Sequence, residues 1–284
     1  MKNKPYIEFP ACWEEVRPNE FQQLLALRHK MMNKSWVNLT DVKRYWCAYI
    51  VQQRAGKSLS GEPFHLLVNE LADTLEWVFC ETVVDGRHMI ELTYDTTVNL
   101  LPVWREFIGP QSHGADLAFG EFRHAVTAFN RYNQDHELQD LRALCAILYR
   151  KQVKVDGSWR RPPFQADKIP HYMGLIRQMP EWLMWGVYAW FAYFCQYLQT
   201  GDFIIDGSTV CFAPVFTNQG GDDSRGGQSI GMNAIRFSVA ETGVFGDAEQ
   251  IDRTPLLQVM LKVLDDRQRA EDLLNRSKLN NHAD

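Results

Sequence analysis

Apolar residues recur at helical spacing from the start of the chain. Phe21, Leu24, Leu25, Leu27 and Met31 mark one face of EFQQLLALRHKMM behind Pro18 and Asn19, and predict a helix there. Thr40 is the expected N-cap of the next helix, DVKRYWCAYIVQQR, with Asp41 in its first turn and Gly56 at its stop. Trp46, Tyr49 and Ile50 give that helix its apolar stripe. A second helical pair is expected over roughly 64–79 and 98–107. Further along, AFGEFRHAVTAFNRY and DHELQDLRALCAILYRK repeat the first pattern: Glu121-Phe122 matches Glu20-Phe21, and 122–148 is close in length to 21–50. Either an internal duplication or the generic likeness of helical hairpins accounts for the match.

The most apolar stretch is Glu181 to Thr200, EWLMWGVYAWFAYFCQYLQT, which carries no charge between Trp182 and Leu198. A bilayer-spanning helix needs about 20 mainly apolar residues with aromatics at its two interfaces. This run is shorter, contains Gln196, places its aromatics in the middle and lacks flanking Lys or Arg clusters. A buried helix is the expectation, against a partner-binding helix or a membrane contact. The opening MKNKPYIEFP lacks the apolar core of a signal peptide, so a cytoplasmic location is expected, with virion association as the alternative.

Three Asp-Gly pairs, Asp85-Gly86, Asp156-Gly157 and Asp206-Gly207, lie between β-favouring stretches and predict small β-hairpins. TNQGGDDSRGGQS, which follows Phe216, holds no core-forming residue and reads as a loop or linker. IGMNAIRFSVAETG then predicts a helix closed by Gly243. Thr254-Pro255 should start a last helix with the stripe Leu256, Val259, Met260, Val263 and Leu264, and KLNNHAD should fray. The expected fold is mainly α: helical hairpins around a central aromatic-rich helix, with small β-hairpins at the Asp-Gly turns. The expected organisation is an N-terminal helical unit over 1–110, a central unit over 111–216, the loop at 217–229 and a C-terminal helical segment over 230–284.

Composition narrows function. With 284 residues, 45% hydrophobic and 23% charged, the chain has the make-up of one large or two ordinary globular domains. A net charge of -5 argues against a general nucleic-acid binder. The basic residues Arg150, Lys151, Lys154, Arg160 and Arg161 gather around a single aromatic, Trp159, and read as a solvated hairpin. The six cysteines are dispersed without a CxxC pair, as expected for buried, reduced thiols. No phosphate loop, dinucleotide fingerprint, HExxH or GxSxG occurs. Asp222 and Asp223 lack the regular ligand spacing of a calcium loop. His113, His124 and His136 are too far apart to fix a local ligand set, and His124 near Glu121 is the commoner helix histidine beside a carboxylate. A Cys145–His124 nucleophile pair is disfavoured because Cys145 lies in an apolar helix. No catalytic, cofactor-binding or metal-binding residue is assigned.

Three phrases carry a family resemblance. FPACWEEVRPNEFQQLLAL resembles the W-x-E-L-T-x-x-Q-F opening of uncharacterised proteins encoded in tail-gene regions of Bacteroidetes-type phages and prophages. LAFGEFRHAVTAF followed by LRALCAILYRK is similar to their central phrase, and SVAETGVFGDAEQIDRTPLLQVMLKVLDD to their ending. Arg17 stands where that family has a Leu-Thr cap. The resemblance implies a non-enzymatic accessory or structural protein of tail assembly, chaperone-like, with tape-measure or tube proteins as partners and neither nucleic acid nor membrane. Under that reading the contact residues are Trp185 and Trp190 of the aromatic helix and Leu256, Val259, Met260 and Val263 of the last helix, aromatic anchors dominating. Two alternatives remain: an enzyme with its site where His124, Glu121 and Asp116 converge, and a small-molecule or peptide binding module using an aromatic pocket.

Overall fold

The computed structural model describes residues 7–33, 38–84, 87–216 and 232–281. Among them the chain is mostly helical. The helices are α1 (Pro18–Asn33), α2 (Leu39–Ala55), α3 (Glu62–Asp73), α4 (Phe119–Asp135), α5 (Leu138–Leu148) and α6 (Ile169–Leu175). They continue with α7 (Glu181–Thr200), α8 (Ala213–Phe216), α9 (Met232–Thr242), α10 (Ala248–Arg253) and α11 (Leu256–Asn281). The strands are short: β1 (Phe79–Val84), β2 (Arg87–Leu92), β3 (Val103–Trp104), β4 (Phe107–Ile108) and β5 (Arg150–Lys151). Four more complete the set, β6 (Val153–Val155), β7 (Ser158–Arg160), β8 (Asp202–Ile205) and β9 (Ser208–Cys211). All strand pairing is antiparallel, in the sets β1-β2, β3-β4-β5, β6-β7 and β8-β9. No helix among the described residues is long and apolar enough to cross a membrane. The Asp85-Gly86 turn and the 217–229 loop lie outside the described residues.

The chain divides into two compact units, one comprising Met1–Pro102 with Gln178–Trp190, the other Val103–Arg177 with Phe191–Asp284. Both are discontinuous, and the two halves of α7 belong to different units.

In the first unit α1 and α2 pair around buried Phe21, Leu24, Trp46 and Ile50. The cap of α2 is Asn38 rather than Thr40. Asn38 Oδ1 accepts from the Asp41 N–H at 2.9 Å and Asp41 Oδ2 accepts from the Asn38 N–H at 3.3 Å, a reciprocal box that satisfies two orphan donors. Gly56 closes α2 at φ 64°, in the left-handed region where a Cβ would be penalised. Trp13 meets Phe21, Trp77 and Tyr94 at ring separations of 5.7, 5.3 and 5.2 Å. Gly186 in α7 lets α1 approach closely: a Cβ there would lie 2.5 Å from Leu25 Cδ1 and 2.6 Å from Leu101 Cδ1. The helix expected over 98–107 does not form. Asn99 Oδ1 accepts from the Leu101 N–H at 2.9 Å, Tyr94 donates to the Val98 carbonyl at 2.7 Å, and Trp190 Nε1 donates to the Thr97 carbonyl at 3.0 Å. Local side-chain partners and the following Pro102 hold 98–101 in bends outside a helix, and 103–108 turns back on itself as the β3–β4 pair.

In the second unit α4 and α5 pair, and Phe122 packs against Phe191 and Phe194 of α7 at 5.8 and 6.0 Å. The Phe119 N–H donates to the Thr254 carbonyl at 2.9 Å and the Leu256 N–H to the Leu117 carbonyl at 2.8 Å, tying the start of α4 to the start of α11. Thr254 does not cap α11 with its side chain; its hydroxyl donates back to the Gln250 carbonyl at 2.9 Å and closes α10. That helix, absent from the sequence expectation, is entered through an Asp247–Gln250 capping box. α11 continues to Asn281, so most of the tail expected to fray is helical. Two hairpins turn at Asp156-Gly157 and Asp206-Gly207. Both residues of each pair have positive φ (49° and 81°, 49° and 79°), the geometry of a type I′ turn. The thiols are not uniformly buried: Cys47 and Cys145 are, whereas Cys12 and Cys80 are exposed.

Candidate functional site

The enzyme alternative placed a site at His124, Glu121 and Asp116, all in the second unit. Glu121 is the third residue of α4, on the face turned inward with Phe122 and Ala125, and its side chain is only 1% exposed. Burying a carboxylate costs several kcal/mol unless it is paired. Two arginines meet it. Arg150, in β5, donates from Nη1 to Oε1 at 2.8 Å and from Nη2 to Oε2 at 3.2 Å. Arg161, just past β7, donates from Nη1 to Oε1 at 2.7 Å and reaches Asp116 Oδ2 from Nε at 3.1 Å. Glu121 and Asp116 are therefore brought together, through Arg161.

The remaining polar atoms of this cluster are also engaged. Arg150 Nε donates to the Pro162 carbonyl and Nη1 to the Ile147 carbonyl, both at 2.8 Å. Arg161 Nη1 donates to the Leu148 carbonyl at 2.9 Å and Nη2 to the Asp116 carbonyl at 3.1 Å. Asp116 Oδ1 accepts from the Gln111 N–H at 2.7 Å. Burial, ahead of the opposing pull of Glu121, lowers the Arg161 pKa from its ordinary value. Chemically, this is a charge-balanced clamp that fixes the ends of α4, α5 and β7 against one another.

His124 lies one turn further along α4 and does not join the clamp. Its ring sits 5.5 Å from Phe164 and its Nε2 is 3.5 Å from Arg123 Nη2. Burial first, then the neighbouring Arg123 cation, lowers the His124 pKa below 6.5. Beside it, Arg123 and Arg236 both reach Asp252 Oδ2, at 3.2 and 2.8 Å. Asp252 sits against Gly120, where a Cβ would come within 2.7 Å of its Cβ and 2.9 Å of its carbonyl oxygen. Cys145 is fully buried, and burial drives its thiol pKa upward, away from a nucleophile's thiolate. Among the described residues no group of three or more His, Cys, Asp or Glu side chains is placed to hold a metal ion.

The residues expected at a partner surface separate into two sets. Trp190 is 2% exposed, and Leu256, Val259 and Met260 are 0% exposed, so these four side chains pack inside the fold and present no surface. The apolar stripe of α11 docks its first turns onto the body, which is why it looked adhesive in sequence. Trp185 is half-buried, stacked edge-on against Tyr188 at 5.1 Å with the Arg28 guanidinium 5.5 Å from its ring centre. Val263 is different: it lines an open cleft of about 310 Å³ bounded by α8, α9 and α11. Val215, Ile235, Val239 and Val263 supply its apolar lining, and Asp266 and Arg267 supply charge. Arg267 donates to the Pro214 carbonyl and Lys262 pairs with Asp266. Further along α11, Leu273 and Leu274 are exposed.

Arg150 and Arg161, expected in a solvated hairpin, are instead buried against Glu121, and Asp252 was passed over; their partners lie 29, 40 and 129 residues away. The available signal was a Glu directly before a buried Phe in the first turn of a helix, which occurs at both Glu20 and Glu121. No family model matches this chain, and neither a curated protein nor a solved structure does.

Proposed function

We propose that the protein is a non-enzymatic accessory factor acting through protein–protein contacts, in the assembly of a phage or prophage tail-like particle. The observation that carries the contact reading is the open cleft between α8, α9 and α11, an apolar lining with Asp266 and Arg267 beside it, followed along α11 by exposed Leu273 and Leu274. Such a combination of apolar core and charged rim suits a protein interface. The tail assignment rests on the three sequence phrases, and a tape-measure or tube protein is the partner it names. In this reading α7 serves as the central scaffold of the helical hairpins, leaving α11 as the contact element. The saturated hydrogen bonding of Glu121 supports a structural role for that cluster over an acid–base one.

The test is co-purification of the tagged chain from cells that also produce its neighbouring tail-tube and tape-measure proteins. Stoichiometric recovery of one of them with the wild type, and its loss with Ala270→Arg, is the expected result. Ala270 is exposed and lines the cleft, so an arginine there fills the space at little cost to folding. Recovery of the chain alone overturns the proposal.

A further inference from the structure

The β6–β7 hairpin is built unlike the other secondary structure around it. All six of its residues are exposed, including Val153 at 41%, Val155 at 40% and Trp159 at 60%. An isolated two-stranded hairpin is marginal in water. This one is held at its base, where Arg161 directly after β7 enters the buried clamp and the Gln152 N–H before β6 donates to the Glu106 carbonyl at 2.8 Å. The tip is fixed by the positive-φ pair Asp156-Gly157. The register Val155↔Ser158, Lys154↔Trp159, Val153↔Arg160 follows from the two-residue turn. In that ladder the first and third pairs exchange main-chain hydrogen bonds, so the N–H and C=O of Trp159 point outward from β7.

The charges around this edge are one-sided. From Arg150 to Arg161 the chain carries five cations against Asp156 alone, in a protein whose net charge is -5. Arg150 and Arg161 are consumed by Glu121, and Lys151 pairs with Glu106 at 3.0 Å. Lys154 and Arg160 make no ion pair among the described residues. They flank Trp159, one across the ladder and one beside it in the strand.

We infer that the β6–β7 hairpin is a docking edge for an extended acidic peptide segment of a partner protein, which adds a strand along β7. The main chain of Trp159 supplies the ladder bonds and its indole covers the peptide's apolar side chains on one face; Arg160, on the opposite face, pairs with the carboxylates that alternate with them, and Lys154, across the ladder from Trp159, adds to the attraction for the acidic segment. A single exposed aromatic and two unpaired cations favour a short peptide over a nucleic acid, which needs a longer basic track. None of the cleft residues takes part, so this edge and the cleft fail or hold separately.

The experiment is fluorescence anisotropy with the full chain and a labelled Glu-Val-Glu-Val-Glu-Val-Glu peptide, beside the Gln-Val counterpart and oligothymidylate. The expected result is saturable binding of the acidic peptide that weakens with salt. Trp159→Ala and the double change Lys154→Glu with Arg160→Glu should each weaken it about tenfold or more, the scale of losing one anchor. All three positions are exposed, and unchanged thermal midpoints verify folding. No binding of the acidic peptide overturns the inference, as does equal binding by the variants, equal binding of the Gln-Val peptide, or tighter binding of oligothymidylate.

Discussion

The two units solve one problem at two levels of commitment. In each, a glutamate at the third position of a helix is buried next to a core phenylalanine and met by an arginine at or beyond the end of the following helix. In the first unit Glu20, 0% exposed, receives Arg54 alone, with Nε to Oε1 and Nη2 to Oε2 both at 2.8 Å. Glu20 Oε2 also takes the Arg17 N–H at 2.9 Å, while Arg54 ties in the Glu8 and Glu15 carbonyls at 2.9 and 2.7 Å. In the second unit Glu121 serves Arg150 and Arg161 together, and Asp116 balances the extra charge. Fork-shaped guanidinium pairing explains why arginine holds all three places. The second clamp therefore has more to lose: its glutamate holds two cations, 3% and 5% exposed, whereas Glu20 holds one at 9%.

That asymmetry sets the largest expected effect. Glu121→Gln should destabilise by about 3–5 kcal/mol, since it leaves two buried guanidinium groups short of charge. Glu20→Gln should cost about 2 kcal/mol, nearer the loss of one charge-assisted hydrogen bond, because it leaves a single, less buried guanidinium short of charge. Urea unfolding of the two variants side by side checks the order, and equal losses would break the comparison.

Next come two glycines at tight helix contacts. Gly120→Ala should cost about 2–3 kcal/mol, because its new methyl would meet the Asp252 carbonyl, a backbone atom. At Gly186 the obstacles are the tips of Leu25 and Leu101, which can rotate, so Gly186→Ala should cost about 1 kcal/mol. Thermal denaturation separates these outcomes. Asp116→Asn should cost about 1 kcal/mol, as its side chain is 28% exposed and water shares its work. A loss as large as that of Glu121→Gln would move the balance of the clamp onto Asp116.

The smallest effect is a pH dependence. The folded protein lowers the His124 pKa below 6.5, so the unfolded chain binds the proton more readily. Stability from this group is present above pH 6.5 and is lost as pH falls below it. His124→Gln should therefore flatten the decline in thermal midpoint on acidification through that range; an unchanged slope would place the effect elsewhere.

Much of the helical framework was legible because its signals are local. The spacing of Phe21, Leu24 and Leu25 reports one buried face, Gly56 and Gly243 end helices at positive φ, and Asp156-Gly157 has the residues a tight hairpin needs. The segment at 98–107 misled because its apolar residues serve a bent path fixed by Asn99, Tyr94 and the distant Trp190, followed by the β3–β4 pair. Thr40 looked like a cap because Thr often is one, yet Asn38 and Asp41 form the better reciprocal pair. The apolar stripe of α11 was visible, but which turns dock inward and which line the cleft depends on α8 and α9. The clamp was invisible for the same reason: nothing near Glu121 in sequence announces Arg161.

A clamp that holds the fold is separate from the cleft proposed to make contacts, and one measurement addresses both. A partner protein recovered by co-purification is immobilised, and the binding of wild type, Glu121→Gln and Ala270→Arg is measured by surface plasmon resonance, corrected for the fraction folded. The account predicts that Glu121→Gln binds normally per folded molecule despite its lost stability, while Ala270→Arg keeps its thermal midpoint and loses at least tenfold in affinity, as an interface anchor would. Wild-type affinity in Ala270→Arg, with binding lost by folded Glu121→Gln, would contradict it and return the functional site to Glu121.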